Sequence, residues 1–463
     1  MPLVLYNTLL RKKQKFVPLN EGKVGLYTCG PTVYNYVHLG NLRSYIFEDI
    51  LKRVLFFNKL EVKHVMNITD VGHLTSDADT GEDKMLKGAR REKKTVWEIA
   101  NFYTEAFQSH AKELNILTPD IVCKATDHIQ EQVAMIKKLE MKGFTYQAGG
   151  NIYFDTSKFK DYGKLAKLKL DDHHQARIEL DKNKKNSHNF VLWFTKSKFQ
   201  DQEMKWNSPW GEGYPGWHIE CSAMASKYLG EQFDIHCGGI DHIQIHHTNE
   251  IAQSEAAFGK KPWVRYWLHN EFLVLGKGEK MAKSGENFIT LQTLKDKGFD
   301  PLDYRYFCLG THYRNPLMFS WEALEGAKAA RKKLFEFVLS IKNFKGKESK
   351  NKQAEYLRKF TAEVNDDLNT PKALATVWEV VKSDLSSRDK YSLLLQFDKV
   401  LGFNFGNLEK EKIPSNIITL ANEREKAREN KDWKKSDKLR DEIKDKGYIV
   451  EDTKDGFEIK KIS

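Results

Sequence analysis

Residues 24–28 are apolar and β-prone, the chain breaks at Gly30-Pro31, and apolar positions then recur at helical spacing over about 42–57 before a second β-prone run at 62–68. That order predicts a βαβ unit. Tyr45, Ile46, Ile50 and Val54 mark the buried face of its helix, and Gly40-Asn41 stands just before the helix start. In an open α/β sheet, a helix N-terminus facing the C-terminal end of a strand is where anions bind. From about Asp120 to Pro215 the pattern changes to short mixed elements. This stretch holds the polar run Asp181-Lys182-Asn183-Lys184-Lys185-Asn186 and the aromatic run Phe190-Val191-Leu192-Trp193-Phe194. It reads as an insertion. Strand and helix alternation returns with Phe233-Asp234-Ile235-His236 leading into Gly238-Gly239-Ile240-Asp241, and with Trp267-Leu268-His269 leading to Phe272-Leu273-Val274.

Beyond Trp321, the apolar residues Leu324, Ala327, Leu334, Val338 and Ile341 repeat at helical spacing, and more helix follows a polar linker at 342–353. This portion reads as an α-bundle. From Ser415 onward the chain predicts one highly charged helix over 420–444, then strands at 448–450 and 457–459 around Asp455-Gly456. The expected fold class is α/β: a Rossmann-type parallel-sheet catalytic domain split by an insertion, then a helical bundle and a small C-terminal α+β module. The corresponding bounds are 1–120 and 216–275 for the two catalytic halves, 121–215 for the insertion and 276–325 for a loop and junction, with the bundle at 326–405 and the terminal module at 406–463.

At 463 residues the chain exceeds one hydrophobic core. Lys plus Arg outnumber Asp plus Glu by 75 to 64, a net charge of +11, which fits a polyanionic partner such as nucleic acid. Five cysteines, odd in number and spread widely, are no disulfide framework and point to a reducing, cytoplasmic setting. The N-terminal residues lack a basic segment before an apolar core, and no apolar run is long enough to cross a bilayer.

Candidate chemistry lies in three places. His246 and Glu250 stand at i and i+4 in a helical segment, so one face presents both; with Cys29 and Cys221 they form a sulfur, sulfur, nitrogen, oxygen set suited to tetrahedral zinc. The competing reading is bland: buried apolar cysteines and a solvated His/Glu pair. In His38-Leu39-Gly40-Asn41 the glycine lets backbone approach a phosphate, and the imidazole and amide can donate to phosphoryl oxygens. In the loop Gly276-Lys277-Gly278-Glu279-Lys280-Met281-Ala282-Lys283-Ser284-Gly285, flanking glycines fit a mobile arm carrying Lys280 and Lys283 to a triphosphate.

The order of these segments resembles class I aminoacyl-tRNA synthetases, and within them the cysteinyl-tRNA synthetase family, over nearly the whole chain. The resemblance rests on Tyr27-Thr28-Cys29-Gly30-Pro31-Thr32-Val33-Tyr34 before His38, on Asn67-Ile68-Thr69-Asp70, and on Pro215-Gly216-Trp217-His218-Ile219-Glu220-Cys221-Ser222-Ala223-Met224. It rests also on Gly238-Gly239-Ile240-Asp241, His246-His247-Thr248-Asn249-Glu250-Ile251-Ala252-Gln253-Ser254 and Asn365-Asp366-Asp367-Leu368-Asn369-Thr370-Pro371. Two residues depart from the class signatures: Asn41 replaces the last histidine of HIGH, and Ala282 the first serine of KMSKS.

The resemblance implies that Cys29, Cys221, His246 and Glu250 hold one zinc ion that takes the substrate thiolate, with Trp217 walling the pocket. It implies L-cysteine, ATP with Mg2+ and tRNA(Cys) as partners, His38, Asn41, Lys280 and Lys283 acting on the phosphates, Gly239 and Asp241 holding the adenosine, and Thr32 as a further phosphate contact. A monomer free of membranes is expected. Two alternatives stay open: a cysteine ligase of the mycothiol pathway acting on a small amino sugar, and an idle RNA-binding protein whose zinc is structural.

Overall fold

The chain opens with an antiparallel pair, β1 (Val4–Asn7) and β2 (Lys12–Lys15), then enters β3 (Lys23–Thr28), the central strand of the main sheet. The structure is a computed structural model that describes residues 1–72, 83–168, 181–196, 203–276, 288–344, 350–409, 413–453 and 456–461. It divides into two units, Met1–Phe405 and Gly406–Ser463. After β3 comes α1 (Leu39–Phe57), which starts earlier than its apolar spacing predicts because His38 caps it: the His38 ring Nδ1 accepts from the Asn41 amide at 3.1 Å. The strand β4 (Glu61–Ile68) returns parallel to β3, and α2 (Lys84–Glu92) and α3 (Val96–Glu113) lead to β5 (Ile121–Lys124) beside β4. The sheet therefore runs past the boundary expected at residue 120. Local signals start and stop these helices: a Thr95/Glu98 capping box opens α3, and Lys93 in the left-handed region closes α2.

The inserted portion is α4 (Ile129–Met141) with a four-stranded antiparallel sheet, β6 (Thr145–Ala148), β7 (Asn151–Phe154), β8 (Phe190–Phe194) and β9 (Tyr214–Pro215). The aromatic run forms β8, buried along its whole length. The second half adds α5 (Trp217–Leu229), β10 (Phe233–Gly239), α6 (His246–Phe258) and β11 (Val264–Asn270). The finished sheet reads β11-β10-β3-β4-β5, all parallel. From β3 the chain builds outward on one side through β4 and β5, and later on the other through β10 and β11. The switch point thus lies between β3 and β10, and a crevice opens at their C-terminal ends.

Next come β12 (Leu273–Val274), α7 (Leu291–Asp296), α8 (Pro301–Leu309) and β13 (Leu317–Met318), the last parallel to β12. The bundle follows as α9 (Trp321–Ile341), α10 (Lys350–Asn365), α11 (Thr370–Lys382) and α12 (Ser387–Leu401). The buried residues of α9 are Leu324, Ala327, Leu334, Val338 and Ile341, the five its periodicity selects. The linker expected at 342–353 is shorter, since α10 already begins at Lys350. The motif from Asn365 to Pro371 is a joint. The Asp367 carboxylate accepts from the Tyr6 amide, the Tyr313 hydroxyl and Arg314 Nε, each at 2.7 Å, and Asn369 caps α11 ahead of Pro371.

In the second unit the expected single charged helix is two, α13 (Ser415–Glu429) and α14 (Trp433–Asp445), followed by the hairpin β14 (Tyr448–Thr453) and β15 (Gly456–Lys461). Lys431 adopts φ +60° and Asp432 caps α14 by accepting from the Lys435 amide at 3.1 Å, so the chain turns without glycine or proline.

A buried ion cluster fixes α1. Asp49 accepts from Arg53 Nε at 2.7 Å, from Arg305 Nη2 at 2.5 Å and from the Leu117 amide at 2.8 Å, and Arg305 also donates to the Leu401 carbonyl at 2.7 Å. One side chain of α8 thereby joins α1 to the end of α12. Removing one partner from such a cluster leaves buried charge uncompensated, so Arg305→Met is expected to cost about 3 kcal/mol or more in denaturant unfolding at neutral pH.

Candidate active site

The crevice at the β3/β10 switch point is lined by Cys29, Gly30, Pro31 and Thr32 after β3, by Asn41, Ser44, Tyr45 and Glu48 on α1, and by Asn67 and Thr69 after β4. Trp217 and Cys221 of α5, Gly238 and Gly239 of β10, Asp241, His242 and His246 complete it. On α1 the spacing 41, 44, 45, 48 is one helical face, so a polar stripe runs down the crevice wall. Backbone crowding shapes the floor. A Cβ on Gly30 would stand 1.7 Å from the Asn67 carbonyl oxygen, and one on Gly238 would meet the His242 and His247 rings at 2.6 and 2.7 Å. At Gly40 the space is taken by the His38 imidazole itself, 2.9 Å from an added Cβ.

Three of the four expected metal ligands converge on this crevice. One ligand atom each from Cys29, Cys221 and His246 lies within 4.8 Å of the others, and all three residues are buried. The Trp217 ring stacks on His246 at 4.2 Å and 26°. Glu250, fully buried rather than solvated, groups instead with Cys29, His236 and His247. Its Oε2 lies 3.1 Å from His236 Nε2, 3.7 Å from His246 Nε2 and 3.8 Å from His247 Nε2. The donor set fits a soft or borderline dication. Burial, the neighbouring Cys221 and the Glu250 and Glu48 carboxyls push the Cys29 thiol well above its ordinary range, a cost that a dication at the two sulfurs offsets.

Around these ligands lies a histidine cluster that the sequence pattern leaves unmarked. His247 Nε2 is 3.5 Å from Cys29 Sγ, and His247 Nδ1 lies 2.7 Å from His269 Nε2, whose Nδ1 reaches Thr8 Oγ1 at 2.8 Å. His218 and His246 meet Nδ1 to Nδ1 at 3.0 Å. Burial and the surrounding imidazoles hold His247 well below its ordinary pKa. A histidine density such as 236, 242, 246, 247 and 269 within two strand-helix units is the available sequence signal.

The described residues expected to contact ATP lie around the start of α1 and the strand ends. His38 and Asn41 cap one another at the start of α1, the Asn41 side chain accepting from the His38 amide at 3.4 Å. Thr32 bridges to Thr69 across the strand ends, and Gly239 and Asp241 sit together opposite α1. Lys280 and Lys283 lie outside the described residues.

The catalytic-domain model of class I tRNA synthetases (C) matches residues 15–329, a DALR domain matches 359–384, and the cysteinyl-tRNA ligase anticodon-binding domain matches 411–459. The solved methionyl-tRNA synthetase of Mycobacterium tuberculosis in complex with methionyl-adenylate shares the fold, with TM-score 0.58 and 15% identity over 83% of this chain and 92% of that one. The fold is thus that of a class I tRNA synthetase. Cysteine-tRNA ligases are similar over their full length: that of Treponema denticola is 51% identical over 98% of both chains, and that of Borrelia turicatae 44% over 100% of both. Cysteine-tRNA ligase 1 of Burkholderia lata is 47% identical over 98% of this chain and 96% of its own. The chain belongs to the cysteine-tRNA ligase family.

Under the crevice, burial pushes the Glu48 carboxyl well above its ordinary range. Beside it His64 Nε2 and Thr28 Oγ1 lie 2.9 Å apart, and burial, with Lys52 nearby, pushes the His64 imidazole down from 6.5 to about 3. Between those values the unfolded state binds one more proton than the folded state at this residue, so stability falls as pH drops below 6.5. Wild type is expected to lose stability faster than His64→Asn as pH falls below 6.5, the difference approaching about 1.4 kcal/mol per pH unit in urea unfolding between about pH 5.5 and 4.

Proposed function

We propose that the chain ligates L-cysteine to tRNA(Cys) in two steps, forming cysteinyl-adenylate from ATP and then transferring the cysteinyl group to the terminal adenosine. The observation that carries this reading is the convergence of Cys29, Cys221 and His246 on the crevice at the sheet's switch point, in a chain similar along its length to cysteine-tRNA ligases. In it Cys29, Cys221, His246 and Glu250 hold one zinc ion. When bound, the ion lowers the pKa of a coordinated thiol and gives serine and alanine no equivalent contact. Selection by a required polar contact reaches about 10⁴- to 10⁵-fold, so no editing site is called for.

The remaining chemistry is positioning and charge stabilisation by the chain's own residues. Trp217, stacked on His246, closes the side of the pocket on the substrate. Asn41 and Thr32, which line the crevice, take the phosphates at the α1 N-terminus, next to the His38 ring whose Nδ1 accepts from the Asn41 amide. Gly239 and Asp241 hold the adenosine, Asp241 at a ribose hydroxyl. Lys280 and Lys283 neutralise charge on ATP, which enters with Mg2+, as the carboxylate attacks the α-phosphorus in line and pyrophosphate leaves.

A small amino sugar as acceptor leaves residues 411–459 without a role, and an idle RNA-binding protein leaves the polar crevice without one. In the terminal unit Trp433 is 58% exposed with the Arg428 guanidinium 5.8 Å from its ring centroid, an arrangement suited to stacking on RNA bases. The reading extends to a monomeric cytoplasmic enzyme. All five cysteines are free and buried, and no described helix is long and apolar enough to cross a membrane.

Cysteine-dependent ATP-pyrophosphate exchange, followed by charging of purified tRNA(Cys), tests the assignment. Chelated protein is expected to lose exchange and recover it with added zinc, and Cys221→Ser to lose bound zinc by elemental analysis. Lys283→Ala is expected to slow exchange about 100-fold. Exchange without charging moves the acceptor to a small molecule, and near wild-type exchange in Lys283→Ala removes that lysine from the first step.

A further inference from the structure

A strip of cations and exposed rings runs beside the crevice along α2 and α3. Residues 84–94 carry six cations, Lys84, Lys87, Arg90, Arg91, Lys93 and Lys94, against one acid, Glu92. At one end Lys84 Nζ stands 5.6 Å from the centroid of Trp217, whose ring lines the crevice. At the other, Lys94 Nζ lies 4.4 Å over the Phe102 ring. Phe102 is 39% exposed and meets Tyr36, 36% exposed, edge to face at 6.0 Å. Val37, the residue after Tyr36, lines the crevice, so this end also borders it. Both rings rest on Tyr103, each with its centroid 5.0 Å away, and Tyr36 stacks on His110. The helix that carries Phe102 is fixed at its start by the Thr95/Glu98 box.

A single exposed ring needs no explanation. Two contiguous rings held rigid, one under a lysine and both next to a run of cations, make a surface with chemistry of its own. Cations track phosphates while ring faces take bases regardless of sequence, which is how proteins hold single-stranded nucleic acid. A duplex keeps its base faces stacked inside and cannot use the rings.

We propose that this strip docks the unpaired 3′ end of the tRNA, with its bases against Phe102 and Tyr36 and its phosphates along the exposed Lys87, Lys93 and Lys94. The proposal rests on the function given above, which requires the terminal adenosine to reach the crevice. The strip's cations match a polyanion, and its Trp217 end is continuous with the crevice where that adenosine must react. Arg91 is engaged locally, donating to the Tyr34 carbonyl, the Tyr103 hydroxyl and Glu92, and serves to hold the platform together.

The test compares Phe102→Ala and Lys94→Ala with wild type in binding two RNAs, whole tRNA(Cys) and the same tRNA trimmed of its unpaired 3′ end, and in cysteine-dependent pyrophosphate exchange. Phe102→Ala is expected to weaken binding of whole tRNA by on the order of tenfold, bind trimmed tRNA as wild type does, and leave exchange unchanged. Lys94→Ala, an exposed change that spares the fold, is expected to reduce the salt dependence of whole-tRNA binding, lowering the log-log slope by about 0.7. Equal losses on both RNAs put the strip on the duplex and overturn the proposal. No loss on either RNA, with an unchanged salt slope, assigns the strip to another occupant such as a protein and overturns it as well. Wild-type protein without cysteine-dependent exchange would instead defeat the function on which the proposal rests.

Discussion

The parallel pairing of β3 with β10 is the constraint on which the site depends. Its register sets Thr28 opposite Cys237, and the residues that follow each strand, Cys29 to Thr32 on one side and Gly238 to Asp241 on the other, become the two lips of one crevice. The strands are separated in sequence by α1, β4, α2, α3 and β5, by the α4 and β6 to β9 insertion and by α5, so the pairing is a long-range contact. The walls are delivered to those lips: α1 brings Asn41 down one side, α5 brings Trp217 and Cys221, and α6 brings His246, with Glu250 buried behind it. The Asp49, Arg53 and Arg305 cluster then holds α1 in place from behind.

That arrangement concentrates poorly solvated groups. Two thiols, a carboxylate and several imidazoles share a volume nearly without water contact, where each charged form is disfavoured. The pocket answers by keeping its own groups neutral, with His64 and His247 held low and Glu48 held high. A dication among the sulfurs reverses the balance locally, since thiolates become the favoured form. The His247 imidazole, held low and 3.5 Å from Cys29 Sγ, is placed to offer a hydrogen bond there without competing charge.

Much of this was legible in the sequence because it depends on local pattern. The period of α9 selects its five buried residues and β-prone runs locate β3, β4, β10 and β11, whereas donor chemistry alone leaves Cys29, Cys221, His246 and Glu250 open to a bland reading, and only their order among the other motifs marks them as candidate ligands. What was not legible depends on tertiary contact. The start of α1 was hidden because histidine is an unusual N-cap, and the break between α13 and α14 because it turns on a left-handed lysine rather than a glycine. Glu48, Asp49, Lys52 and Arg53 of α1 are all buried, and the apolar period that marks Tyr45, Ile46, Ile50 and Val54 says nothing of them, because their burial comes from tertiary partners such as Arg305 and the Leu117 amide. Glu250 was found as a ligand type, but its contact with His236 joins a helix to a neighbouring strand, and no spacing rule reports that.

Whether the converging thiols and imidazole hold a metal that takes the substrate's sulfur is read by zinc-edge X-ray absorption on the zinc-loaded protein, counting sulfur scatterers with cysteine and with serine added. Two sulfurs, from Cys29 and Cys221, are expected in protein alone and with serine, and a third on adding cysteine. A sulfur count that stays at two when saturating cysteine is bound would contradict that role.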